Sequence, residues 1–310
     1  MKTIAILTDF SPASRHAAQY GVHLAQKLKA HVGLYAVSPV LSGATAVATM
    51  EWPDYADEQP VTDTASQLDE VAEELYNYII ARSFAEAFVP SIETYPGQDV
   101  IASSLLGLAD DEDSVLLVLA ASPCNGHGSA ASTAWWRKAV EATGIPVLIV
   151  PENAAIRNVE RFVFATEAEY GDIKFVNNLS NWAKFSTAEI MVACTRQNEI
   201  IPDAAIATFK EKMLSEVDYG RIYYRTVPST PIKSGLDWLI ENRGFDVLAM
   251  VHRKGVLSSL LFNRGMMEAL LYRKCVPVLV YPGFLKNKSS AKCISINTHD
   301  HETYNQRRIA

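Results

Sequence analysis

The 310-residue chain is 49% hydrophobic and 20% charged, apolar enough for a packed core and unlike a disordered acidic protein. Its formal net charge of −7 argues against a nucleic-acid surface, which needs clustered Lys and Arg. No run approaches the roughly 18 to 20 apolar residues of a membrane span, and residues 1–7 are too short for a signal-peptide core, so the cytoplasm is expected.

In chain order, short apolar runs alternate with amphipathic segments, the pattern of parallel-sheet α/β folds. Strands are expected at 3–8, 31–37, 91–95, 115–120 and 146–150, and helices at 13–29, 67–88, 99–108 and 133–143. Ser11 reads as an N-cap with Pro12 at the first helical position. A surplus at 39–65, with Met50, Trp52 and Tyr55 at its centre, is expected to supply the extra length of the first half. The order then repeats: strands at 162–165, 190–194, 221–226, 247–251 and 277–281, helices at 173–185, 204–215, 232–242 and 264–273. Residues 153–160 read as a linker and 283–310 as a polar tail.

The repeat is visible in the residues. GIPVLIVP at 144–151 recurs as CVPVLVYP at 275–282, and each copy follows an acid-led buried-strand pattern, at Asp113 and at Asp246. Thr8-Asp9 pairs with Thr166-Glu167 158 residues on, Asp113 with Asp246 at 133, and Pro146 with Pro277 at 131. That arithmetic assigns about 25 extra residues to the first half before its fourth strand and two to the loop after it. Cys124, Cys194, Cys275 and Cys293 have neither metal-ligand nor C-x-x-C spacing; Cys194 and Cys275 read as core, Cys124 as accessible. No metal site is expected, since His299-Asp300-His301-Glu302 has no further ligands placed beside it.

Ligands of open parallel sheets bind at the carboxyl ends of strands where the order reverses, here the loops after strands one and four. Asp9 suits either a ribose contact or helix capping. After the second fourth strand, His252-Arg253-Lys254-Gly255 leads nine residues later to Gly265-Met266, a glycine-and-helix pattern suited to anions.

The segments 4–11, 251–255 and the two Pro-Val-Leu strands resemble the universal stress protein family, and the chain looks like a tandem member. The resemblance covers 1–151, with insertion 39–65, and 161–282. It implies two tandem open, doubly wound, five-stranded, mainly parallel sheets, Rossmann-like and similar to adenine nucleotide alpha hydrolases. Nucleotide-binding members carry G-x-x-G-x9-G-[S/T] after strand four and an acid after strand one. The second half matches at Gly255 and Gly265, but His252 replaces the first glycine, Met266 the hydroxyl residue and Glu167 the usual Asp. Arg253, Lys254 and Arg264 would favour an anion. The first half keeps Asp9 and offers Ala121, Cys124, Ala134 and Trp135 at the four positions, with Gly126, Gly128, Ser129, Ser132 and Thr133 out of register.

The expectation is therefore a stress-response protein that binds rather than catalyses, without a cofactor or tight ATP binding. Its two domains would form an intrachain pseudo-dimer through their fifth strands; a homodimer and an unidentified protein partner are also expected. Two alternatives stand beside it: weak binding of ATP, AMP or another anion in the second half, and a nucleotide hydrolase with His252 as base. A pure scaffold using the Trp52 loop or a basic face is the third.

Overall fold

A strand buried on both faces needs an apolar side chain at nearly every position. Ser114–Ala121, Val147–Pro151 and Val278–Pro282 meet that demand and form the centre of the sheet. The structure is a computed structural model describing residues 2–36, 64–82, 87–96, 107–108, 111, 113–121, 130–195, 203–227, 244–253 and 264–283, without the side chains of 130–133, 195, 203 and 264. Residues 39–63 of the insertion, most of the helix expected at 99–108, the one at 232–242, Cys124, Cys293, Gly255 and the tail beyond Gly283 lie outside the described residues.

The first half runs β1 (Thr3–Thr8), α1 (Pro12–Leu28), β2 (His31–Ala36), α2 (Thr64–Arg82), β3 (Ile92–Tyr95), β4 (Ser114–Ala121), α3 (Ala130–Thr143) and β5 (Val147–Pro151). The second runs β6 (Arg161–Thr166), α4 (Ile173–Ser186), β7 (Glu189–Thr195), α5 (Asp203–Glu216), β8 (Ile222–Val227), β9 (Val247–His252), α6 (Arg264–Met267) with a wider turn to Arg273, and β10 (Val278–Pro282). Helix α1 starts as read: Ser11 caps it, Pro12 follows, and Lys29 closes it in the left-handed conformation.

The strands form one sheet in the order β3-β2-β1-β4-β5-β10-β9-β6-β7-β8. Both expected sets of five strands are present, and β5 and β10, the fifth strand of each, pair antiparallel, so the two sets hydrogen-bond into one surface. Leu148 faces Leu279 at the middle of that seam, and Val147 and Ile149 face Val280 and Val278. Every other pairing is parallel. One apolar layer, under α1, α2, α4 and α5, crosses the seam on one face; a second, containing Trp136, Met266 and Leu270, crosses it on the other.

Strand register measures the repeat. β1–β2 and β6–β7 superpose 158 residues apart (Thr3↔His31, Arg161↔Glu189). The buried stripe of α2, Leu68, Val71, Leu75 and Ile79, matches Ile206, Phe209, Met213 and Val217, 138 apart. β3 and β8 stand 130 apart (Val32↔Ile92, Ile190↔Ile222), and β4 and β9 131 apart (Ile4↔Leu116, Phe162↔Val247). The surplus therefore divides: 20 residues before α2, and 8 between α2 and β3. The loop after β4 carries none, because Ala121↔Pro151 and His252↔Pro282 keep the 131 spacing. The shift lies instead at the start of β4, where Thr3 pairs Ser114 but Ile4 pairs Leu116.

The linker at 153–160 is polar but anchored. The Asp246 carboxylate accepts Arg157 (2.5 Å) and the Glu160 and Arg161 backbone amides (2.8 and 2.9 Å), while Ala154 and Val159 are buried.

Candidate functional site

The strand order reverses between β1 and β4 and again between β6 and β9, which puts a crevice beyond the carboxyl ends of each pair. The antiparallel seam sends the two crevices to opposite ends of the sheet.

In the first half the loop after β1 is tied to itself. Phe10 adopts a left-handed φ of 62°, and its N–H donates to Thr8 Oγ1 (3.1 Å). That hydroxyl pairs with Ser14 Oγ at 3.0 Å. Asp9 Oδ1 accepts the Ser11 amide (3.1 Å) and hydroxyl (2.6 Å), and Ser11 Oγ in turn accepts the Ser14 amide (3.2 Å). Asp9 thus acts in the capping turn.

The second half repeats the turn with different charges. Ala168 has φ 58°, and its N–H donates to Thr166 Oγ1 (2.8 Å). Thr166 Oγ1 donates to Asp172 Oδ2 (2.5 Å), where the first half has the Thr8–Ser14 pair. At the same 158-residue spacing, Glu169 replaces Ser11 and Asp172 replaces Ser14. Glu169 makes no side-chain cap. Both carboxylates instead meet the Arg253 guanidinium, which reaches across from the end of β9. The Asp172 side chain is only 2% exposed, so this pair is largely withdrawn from water. Among the described residues, one guanidinium meets two carboxylates here. Gly283 lets the chain close here: a Cβ on it would stand 2.7 Å from the His252 carbonyl and 3.2 Å from Arg253 Cβ.

His252, at the place of the family's first glycine, points elsewhere. Its Nε2 lies 3.0 Å from Glu141 Oε1 on α3 of the other half. Glu167 is half-buried beside Thr166, and Gly265 is exposed at the start of α6. Met266 is buried at 2% in the layer that also holds Met267. By the 131 spacing, Trp135 and Trp136 are their counterparts; Trp136 is buried at 1% and Trp135 packs partly against the same layer. Core side chains thus stand where the family pattern puts a phosphate-side hydroxyl. Ala121 is buried, Ala134 is exposed, and Cys124, Gly255 and the Arg264 side chain lie outside the described residues. The structure gathers Glu167 and Arg253 at one crevice and separates His252 and Met266 from it.

Glu169 and Asp172 were missed. Their signal was available: aligned at 158, two serines become acids in the same half that gains an arginine after its fourth strand.

Residues 1–151 match the model of the Universal stress protein family. That half belongs to the universal stress protein family. Over most of its length, the chain is similar in fold to a universal stress protein from Archaeoglobus fulgidus DSM 4304, with a TM-score of 0.59 at 16% identity over 90% of this chain and 96% of that one. It is also similar to a functionally unknown protein from Pseudomonas aeruginosa PAO1, with a TM-score of 0.52 at 15% identity over 91% and 92%. At these identities the likeness is one of fold. No curated protein matches the chain in sequence.

Proposed function

We propose that the chain is a cytoplasmic stress-response protein that works by binding a ligand or a protein partner, without catalysis and without a tight ATP site. Its family supports the stress-response role. The observation that carries the finer reading is the occupation of Arg253. The cation that would greet a phosphate at the second crevice is held by Glu169 and Asp172. A triphosphate entering there meets a guanidinium already held by two carboxylates, and the residues at the family's hydroxyl position, Met266 and in the first half Trp135, offer no hydroxyl. The two halves act as an intrachain pseudo-dimer joined at β5 and β10.

The weaker reading, ATP, AMP or another anion held by Arg253, Lys254 and Arg264, and the hydrolase reading share one test. A ligand present at a hundred times its Kd stabilises the folded state by about 2.7 kcal/mol. Urea unfolding with and without millimolar ATP or AMP should show far less than that. A full-sized shift would replace the present reading by nucleotide binding, and steady phosphate release lost in His252→Ala would replace it by hydrolysis.

A further inference from the structure

The two outermost strands of the first half place two phenols face to face. Tyr35 and Tyr95 are register partners on the parallel pair β2–β3, their rings 4.5 Å apart and 7° from parallel. Gly33 makes the room, since a Cβ there would lie 2.9 Å from the Tyr35 ring and 3.3 Å from that of Tyr95. Tyr95 is 41% exposed, within reach of an external oxidant. Its hydroxyl donates to Glu93 Oε2 at 2.7 Å, so a base already sits on the proton that must leave.

We propose that Tyr35 and Tyr95 are an oxidative modification site, where a haem-peroxidase-class one-electron oxidant couples the two rings into an intramolecular dityrosine. Each phenol gives up one electron and one proton, and the two radicals join through a ring carbon ortho to each oxygen. The hydrogens on those carbons then move to the oxygens, restoring both phenols. The two electrons and two protons reduce one hydrogen peroxide to two waters, so the sum closes as two tyrosines plus peroxide to dityrosine plus two waters. Burial pushes the Tyr35 hydroxyl up, and hydrogen bonding to Glu93 pushes that of Tyr95 up. Both therefore enter as neutral phenols, and the proton must leave with the electron. The Tyr95 hydroxyl already donates to Glu93, which gives its proton a place to go. The bond would fasten edge strand β3 covalently to β2, converting exposure to peroxide into a local stiffening of the sheet edge.

The test is treatment of the dilute full chain with a haem peroxidase and hydrogen peroxide, followed by peptide mass spectrometry and dityrosine fluorescence. The expected product is a monomer-mass protein with the Tyr35 and Tyr95 peptides linked, two hydrogen atoms light. It should be absent in Tyr95→Phe, which keeps the ring stack, and form severalfold more slowly in Glu93→Gln. Tyr76, Tyr170 and Tyr223 are similarly exposed and serve as internal controls. Oxidation of those three with the Tyr35 and Tyr95 peptides unlinked overturns the proposal. So does linkage appearing only between chains, or an undiminished product in Tyr95→Phe.

Discussion

At the scale of single residues, the second crevice turns on Asp172. Its side chain is nearly excluded from water and carries a charge that, among the described residues, Arg253 and the Thr166 hydroxyl meet. Removing one partner of a buried pair costs about 3 to 5 kcal/mol because the other charge is left unpaired. Arg253 keeps some solvent contact, so Arg253→Met should fall toward the lower figure. Glu169, half exposed, contributes as a surface pair does, and Glu169→Gln should cost less than about 1 kcal/mol. The double variant Arg253→Met with Asp172→Ser should recover most of the loss, since it recreates the neutral Thr8–Ser14 pair of the first half. Urea midpoints at constant slope measure all three. Equal costs for Arg253→Met and Glu169→Gln would show that burial of Asp172 does not set the energetics.

At the scale of elements, a buried strand declares itself by unbroken apolar residues and a capped helix by its first few, which is why β4, β5, β10 and the start of α1 stood in the sequence almost as they fold. Register was less readable. The register shift at Thr3/Ile4 leaves no compositional trace, so the two residues read from aligning Asp113 with Asp246 were assigned to the wrong end of β4. The charge swap at Glu169, Asp172 and Arg253 was hidden for another reason: its members are far apart in sequence, and only the reversal of strand order brings them together. Helix α1 shows a similar long-range effect at His23. Burial, with the Lys27 and Arg82 cations nearby, pushes its imidazole below the ordinary value; the nearby Arg157 backbone and Asn158 side chain oppose this. The unfolded chain therefore binds the proton more readily, and the stabilisation is complete above the unfolded value near pH 6.5 and lost as pH falls through the lower folded one. Denaturant midpoints from about pH 7.5 to about pH 5.5 should drop more for the parent than for His23→Gln. Parallel curves would mean that His23 titrates alike in both states.

At the scale of the whole molecule, the seam decides the architecture. The pseudo-twofold axis passes between Leu148 and Leu279, which are equivalent residues of the two halves facing each other across β5 and β10. Because those strands carry nearly the same apolar text, VLIVP and VLVYP, a second copy of β5 can take the place of β10 with Leu148 opposite Leu148 and Val147 opposite Ile149. An uncovered β5 would present both a free row of backbone donors and acceptors and two apolar faces, which is unstable in water. Residues 1–151 produced alone should therefore behave as a symmetric dimer, with a mass by light scattering twice that of the fragment. Val147 and Ile149 point to the same face, and Leu148 to the other. A charge at Leu148, as in Leu148→Lys, would sit against itself on the axis and should return the fragment to monomer or to the unfolded chain. In the full-length chain the same substitution faces Leu279 instead, within one covalent molecule, and should lower the denaturation midpoint while leaving the mass unchanged. A folded, monomeric 1–151 would show that each half closes its own edge, and that the ten-stranded sheet is held by the linker rather than by the pairing of its fifth strands.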